Sequence, residues 1–371
     1  MQNIRILIIG AGIGGLTAAI ALGKRGFNTE MIEKDPNWTV YGVGIIQQSN
    51  VVRAMHALGI LEDYLDAGFG FDQVDVYSPA GDHLASVPSL KLVQEYPANV
   101  GISRRALQKV LGDRAKQAGA VIRLGVTAVA ISDRDDRVEV QFSDGSQGEY
   151  DIVIGADGMY SATRKQLFAD APVPQFTGQG VWRYNFPRRE DITSLHVYAG
   201  PIGMGFVPIS KDLMYLYMTT PEPGNPHYDR NDLAAVMRGK LDGAPPAVAA
   251  YAKQITDNDA VVYRPLEWIF VEDAWYKGRV VLLGDAVHAT TPHLGQGAGM
   301  AIEDAMVLAE ELANQTDLQP AFQAYRQRRF ERCRYIVEKS REIGESQLGL
   351  RPPADQAAAT AEMFKVVSAP I

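Results

Sequence analysis

The stretch Ile4-Arg5-Ile6-Leu7-Ile8-Ile9-Gly10-Ala11-Gly12-Ile13-Gly14-Gly15 decides the fold. Its apolar run reads as a buried strand, Gly10, Gly12 and Gly15 as a Gly-x-Gly-x-x-Gly turn, and the residues from about Leu16 as a helix. Gly10 permits the tight reversal, Gly12 lets backbone approach a pyrophosphate, and Gly15 lets the helix pack against the strand. The helix N-terminus adds free N–H groups and a partial positive charge. A second strand, Thr29-Glu30-Met31-Ile32, ends at Glu33, whose carboxylate can accept from ribose hydroxyls, with Lys34 beside it. Strand, glycine turn, helix, strand and acid in this order make a seat for a dinucleotide. Glu33 in place of a basic side chain disfavours a 2′-phosphate at that point.

The rest of the chain bounds the class. At 371 residues it exceeds a typical single core and suggests two domains. A content of 46% hydrophobic and 22% charged residues is that of a soluble globular protein, and a net charge of −8 argues against nucleic acid as a partner. The single Cys333 excludes an intramolecular disulfide and any multi-cysteine metal site, in keeping with a reducing cytoplasm. The six histidines contain no His-x-x-x-His pair, so no metal site is expected. The uncharged run from Ile6 to Gly23 is long enough to raise the question of a membrane helix, but its glycines would weaken one, and no membrane insertion is expected.

Ser103 reads as the N-cap of a helix from Arg104 to Gln117, and short strands are expected at 121–124, 128–132, 138–142 and 149–154. From about Gln175 to Arg264 the pattern becomes a series of alternating strands, as in an antiparallel sheet. The expected organisation is α/β: a Rossmann-like nucleotide-binding domain in two parts, 1–174 and 266–350, with an antiparallel substrate domain, 175–265, inserted between them. The second part includes C-terminal helices, and 351–371 forms a tail that is mobile or packs as a short appended helix. The helix of about Pro320 to Gln347 carries Arg326, Arg328, Arg329, Arg332 and Arg334, read as a solvated face, with contact to an anionic partner as the alternative.

Two further motifs sharpen the reading. One is Asp151-Ile-Val-Ile-Gly-Ala-Asp157-Gly-Met-Tyr-Ser-Ala-Thr-Arg164; the other runs from Gly284-Asp285-Ala-Val-His288 through Pro292-His293-Leu294-Gly295-Gln296-Gly297-Ala298-Gly299 to Ala305. With the N-terminal glycines, they resemble the three fingerprints of the single-component FAD-dependent aromatic hydroxylases, the group typified by p-hydroxybenzoate and salicylate hydroxylases, over about Asn3 to Glu338. The resemblance implies FAD as cofactor, NADH or NADPH as transient reductant without a domain of its own, and dioxygen as co-substrate. It also implies hydroxylation of a small aromatic or N-heteroaromatic substrate through a C4a-hydroperoxyflavin by a monomer or homodimer. A sequestering flavoprotein or a reductase or epoxidase of the same fold is the alternative, and no halogenase-type Gly-Trp-x-Trp-x-Ile-Pro segment occurs.

Residue by residue, the resemblance places Arg104 against the flavin, with Arg105 as the adjacent alternative. It gives Asp157 to the motif that touches pyrophosphate and nicotinamide, although Asp157 reads equally as a helix cap. Asp285 ends a strand where a carboxylate can meet ribityl hydroxyls, and Gly295, Gln296, Gly297 and Ala298 open a helix whose N–H groups can stabilise a reduced flavin. The Pro292 carbonyl faces the substrate by resemblance. His293 is a candidate base, orienting donor or packing group, and His288 reads as structural. In the antiparallel segment, Tyr215, Tyr217 and Thr219 share one strand face while Met214, Leu216 and Met218 share the other; the tyrosines are preferred for the cavity. Arg183 and Tyr184 on a neighbouring strand complete the substrate candidates, Arg183 as an anion anchor or an ion-pair member. Arg183 apart, the pocket shows little basic character, which favours a neutral phenol, quinolone or N-heterocycle.

Overall fold

The computed structural model describes residues 4–200 and 202–371. A six-stranded sheet is ordered Tyr276–Lys277, Val280–Leu282, Ile152–Gly155, Arg5–Ile9, Asn28–Glu33, Val121–Leu124, parallel except at the first pair. Arg5–Ile9 and Ile152–Gly155 carry fully apolar inward runs because both faces of a parallel sheet are covered. The strand order turns back at Arg5–Ile9, and a crevice opens there beyond the carboxyl ends of the two central strands, which is where such sheets take a ligand. Helix Ile13–Gly23 leaves that crevice and packs on helix Gly297–Asn314. The approach demands glycine: a Cβ on Gly15 would overlap the Gly10 carbonyl, and one on Gly14 would come within 2.8 Å of Leu283.

A seven-stranded sheet forms the second lobe, ordered Val262–Trp268, Gln175–Pro187, Leu213–Pro221, Gly203–Pro208, Leu195–Tyr198, Gln73–Tyr77, His83–Pro88. It is not confined to 175–265. Strands Gln73–Tyr77 and His83–Pro88 come from the first third of the chain, and Gln73–Tyr77 joins Leu195–Tyr198 in parallel. One face, with Trp182, Tyr184, Phe186, Met214, Leu216 and Met218, packs on helices Leu233–Lys240 and Pro246–Ala249. The other looks toward the crevice. Three-stranded sheets Gly44–Gln47/Asn99–Ser103/Gly68–Phe71 and Ala128–Asp133/Val138–Phe142/Gln147–Tyr150 complete the β structure.

The arginine-rich helix, Leu318–Gln347, departs from its sequence reading. Arg329 is fully buried and bonds Asp304 at 2.8 Å and Glu303 at 2.7 Å; Arg332 also meets Glu303, at 3.1 Å. Arg328 holds Glu310 and Glu311, and Arg326 caps the carbonyls of Glu272 and Asp273. Only Arg334, paired with Glu331, keeps to the solvated face. The tail forms helix Gln356–Ser368, with Met363 and Val367 in the core and its last carbonyls held by Arg53 and Arg332. No helix among the described residues is long and apolar enough to cross a membrane.

A buried charge stripped of its partner is far costlier than the pair is stabilising. Arg329→Met, which leaves the Asp304 and Glu303 carboxylates enclosed without their guanidinium, is expected to lose about 3–5 kcal/mol in denaturant unfolding, whereas Arg334→Ala loses less than about 1 kcal/mol. Equal effects of the two substitutions would contradict the buried assignment.

Candidate active site

The crevice wall is built from the three glycine-rich turns. Gly10, at φ +103°, turns the first strand, and its α-carbon abuts the backbone of Ala156 and Asp157. Gly12 stands at the N-cap of helix Ile13–Gly23 with no side-chain cap, and nothing lies within 4 Å of the position a Cβ would take. This is a bare helix N-terminus with space before it, as a diphosphate needs. Glu33 accepts from the amides of Ala11 (3.1 Å) and Asp35 (3.0 Å), which orients its carboxylate at the end of the second strand and leaves lone pairs for hydroxyls. Lys34 beside it is exposed.

Asp157 resolves toward the cap. Its carboxylate accepts from the Thr163 amide at 2.9 Å, the Thr163 hydroxyl at 3.0 Å and the Ser161 hydroxyl. Arg164 closes the same motif in a way the sequence reading missed. It is fully buried, its guanidinium donating to Met159 and Ala286 carbonyls at 2.8 Å each, and so ties the second fingerprint to the third. The available signal was its place at the end of the quoted motif, where an arginine starting a short helix has two open carbonyls within reach.

Asp285 follows Gly284, which turns at φ +62°. Its carboxylate accepts no hydrogen bond from the described residues and lines the open crevice; desolvation raises its pKa, against the pull of His288 and Arg104. Arg104 donates to the Gly44 carbonyl and lies near Tyr215, Tyr41 and Asp285; its neighbour Arg105 is exposed, beside Gly42. An unsatisfied carboxylate facing the crevice is an acceptor awaiting donors such as the hydroxyls of a ribityl chain.

Helix Gly297–Asn314 begins without an acidic residue in its first turn and without a side-chain cap, so its amides and positive dipole end remain open beside Gly295 and Ala298. The Gln296 side chain is engaged within the protein. It is buried, meets Gln48 and bonds Asn50 at 3.0 Å, so only its backbone is left for a cofactor. His288, Asp304 and Cys333 come within metal-ligand distance of one another. The Arg329 guanidinium already sits on Asp304, however, making this an ion-pair core.

Opposite the third fingerprint, Arg183 faces Tyr217 across paired strands, and Asn185 faces Tyr215. Arg183 makes no hydrogen bond or ion pair among the described residues; burial and then the nearby charge of Arg104 push its pKa down to about 10. Burial raises Tyr217 well above the usual phenol range, so it is a neutral donor at physiological pH. Tyr215 lies deeper, its ring against Gly44 and Ile209. Tyr184 is a correction: strand alternation points it away from the crevice, into the helix-facing cluster, with its ring 5.1 Å from Phe186. The expectation of little basic character also changes, because Arg104 and Arg264 share the surroundings of Arg183.

Pro292–Leu294 forms a single 3₁₀ turn above this floor. His293 within it is committed on both nitrogens, Nδ1 to the Thr291 hydroxyl at 2.8 Å and Nε2 to Gln347 Oε1 at 3.2 Å. Because the Gln347 oxygen only accepts, Nε2 carries the hydrogen, and Nδ1 accepts from Thr291. Burial pushes its pKa down to about 4. A neutral imidazole with both nitrogens engaged orients the turn in this arrangement. Gln347, at the end of the long helix, also accepts from Gln179 at 2.9 Å and so ties that turn to the substrate sheet.

Comparison with known proteins agrees with this geometry. Residues 3–340 match the model of the family described as FAD binding domain. The chain is 33% identical over 351 residues to aurachin C monooxygenase/isomerase of Stigmatella aurantiaca, covering 92% of this chain and 89% of the relative. It is 32% identical over 335 residues to 2-heptyl-3-hydroxy-4(1H)-quinolone synthase of Pseudomonas aeruginosa, covering 88% and 86%. The crystal structure of Klebsiella pneumoniae HpxO with FAD and uric acid superposes with a TM-score of 0.85 at 26% identity, covering 100% of this chain and 94% of that one. With a bare helix N-terminus, an unsatisfied crevice carboxylate and this likeness over nearly its whole length, the chain belongs to the FAD binding domain family of FAD-dependent monooxygenases.

Proposed function

We propose that the enzyme hydroxylates an aromatic or N-heteroaromatic ring held between the Arg183–Tyr217 floor and the Pro292–His293 turn. The observation that carries this reading is Arg183, a guanidinium without a protein acceptor among the described residues, on the crevice face of the sheet. When bound, FAD takes electrons from NAD(P)H and activates dioxygen for transfer of one oxygen atom to the substrate. Such a transfer needs an electron-rich ring. Arg183, with Arg104 behind it, favours the anionic form of a ring hydroxyl or lactam oxygen and thereby enriches the ring; the phenol of Tyr217 donates to the same region. Tyr217 is a neutral phenol that already holds its proton, and His293 has both nitrogens engaged, so in this arrangement neither is the group that takes the substrate proton. The Pro292 carbonyl already accepts from the Gly295 amide at 3.0 Å, so only its second lone pair is proposed as an acceptor on the opposite side.

The cofactor assignments follow from the same surfaces: Gly10, Gly12 and Gly15 with Glu33 and Lys34 for the nucleotide half, Arg104 and Asp285 for the flavin half, and the amides of Gly295 to Ala298 at its ring. The relatives' names span quinolone, urate and hydroxybenzoate substrates, which supports a small aromatic or heteroaromatic head of either kind.

Gly12→Val fills the space before the helix N-terminus and is expected to yield folded protein, by its circular dichroism, with substoichiometric flavin at limiting FAD. Full flavin occupancy would contradict the placement. Arg183→Gln is expected to raise KM for a stimulating substrate about 10- to 100-fold, the loss of a charge-assisted hydrogen bond, and to divert reducing equivalents to hydrogen peroxide. Tyr184→Phe, on the other face, leaves both unchanged. A steady-state assay in which Arg183→Gln behaves as the parent would exclude Arg183 as the anchor.

A further inference from the structure

The sheet face that carries Arg183 and Tyr217 continues past them in register. Arg183 pairs with Tyr217, Tyr217 with Gly205, Gly205 with Val197, Val197 with Val76, and Val76 with Ala85. Residues directly opposite one another on neighbouring strands present their side chains on the same face, so the six form one transverse row. With strands about 4.8 Å apart the row is roughly 24 Å long. Its chemistry changes along that length: a guanidinium and a phenol, then a glycine, then two valines and an alanine.

Two observations mark the apolar half as a ligand surface. Val76 and Val197 are half-buried and Ala85 is exposed, yet none of the three belongs to a hydrophobic cluster among the described residues. Their chain neighbours Tyr77 and Tyr198, on the opposite face, pack into the helix-covered core. The exposed Val87, two residues along the edge strand from Ala85, extends the same apolar face. The second observation is the junction. Gly205 carries no side chain, and a Cβ there would lie 2.8 Å from the ring and hydroxyl of Tyr217. The Tyr217 ring therefore lies across Gly205 and joins the polar and apolar halves into one surface without a ridge between them.

Resting on the hydroxylase reading above, we propose that the natural substrate bears an apolar tail, an alkyl or similar chain. The tail runs from the ring at Arg183 over Tyr217 and Gly205, lies on Val197, Val76 and Ala85, and emerges at the edge strand His83–Pro88. Continuity with the crevice selects this occupant over a protein partner. A partner would cover the exposed edge strand but would not reach Val197 and Tyr217 in the interior, whereas a tail that starts at the anchored ring covers both. One relative is named for a product that combines such a head with a heptyl chain.

The test uses the FAD-loaded enzyme and two probes, 4-quinolones carrying methyl or heptyl at the 2-position, with affinity read from perturbation of the flavin absorbance. Each buried methylene strengthens binding roughly fourfold, so the heptyl compound is expected to bind at least about tenfold more tightly even if only part of the chain is covered. Val197→Ser and Val197→Asp, at the apolar row position within reach of a heptyl chain that starts at the ring, are each expected to erase most of that preference while leaving the methyl compound's affinity unchanged. Equal affinities in the parent, or variants that weaken both probes alike or neither, would overturn the tail site. If the methyl compound binds and gains oxygen with no advantage for heptyl, only the tail proposal falls. If neither quinolone binds, both the tail and the quinolone-type head are wrong.

Discussion

The carboxylate of Asp304 is the contact on which the active-site wall depends. One oxygen accepts from the Gly284 amide at 3.0 Å and from His288; the other accepts from Arg329 at 2.8 Å. Three segments distant in sequence thereby meet at one buried charge: the Gly284-Asp285 turn, helix Gly297–Asn314 and helix Leu318–Gln347. Burial alone would raise the carboxyl of Asp304, but His288 and Arg329 hold it far below the usual range. His288 in turn is raised well above 6.5 by that same partner, against its own burial. The cluster is charged as a unit. Its architectural result is that Gly284 is held in its left-handed turn, so that Asp285 projects into the crevice with its acceptor free.

Fixed in this way, the third fingerprint works against the second and against the sheet floor. Arg164 reaches Ala286 from the second fingerprint, and Gln347 reaches His293 from the far end of the long helix. The side chains that face the ligand space, Asp285, Arg183 and Tyr217, are left without protein partners among the described residues, while Arg164, Arg329 and Gln347 behind them are hydrogen-bonded within the protein. This division is what preorganisation requires: charge and donors aimed at a ligand, on a frame that does not rearrange when the ligand arrives.

Much of this frame was legible in the sequence because its local signals and its tertiary environment agree. The glycine turn at 10–15, the Ser103 cap and the strands at 138–142 and 213–219 follow from periodicity, turn chemistry and capping, and the structure contains each of them. Where the reading failed, the deciding contacts were remote. Arg329 and Arg332 look like a solvated face until Glu303 and Asp304 are brought beneath them. Strands 73–77 and 83–88 join the second lobe through a pairing more than a hundred residues away. Tyr184 sits next to Arg183 in sequence and on the opposite side of the sheet in space, a consequence of strand register that the choice of residue types does not reveal. For His293 the sequence left base, orienting donor and packing group open; the positions of Thr291 and Gln347 show both nitrogens committed.

This crevice, once charged with FAD, is proposed to move one atom of dioxygen onto an aromatic ring at the Arg183 floor. The most direct measurement is turnover of a stimulating phenol or quinolone with NAD(P)H under isotopically heavy dioxygen, followed by mass analysis of the product. The account predicts a product carrying one heavy oxygen atom for each reduced nicotinamide consumed in coupled turnover. A product whose added oxygen comes from water, or one that gains two hydrogens and no oxygen, would contradict it.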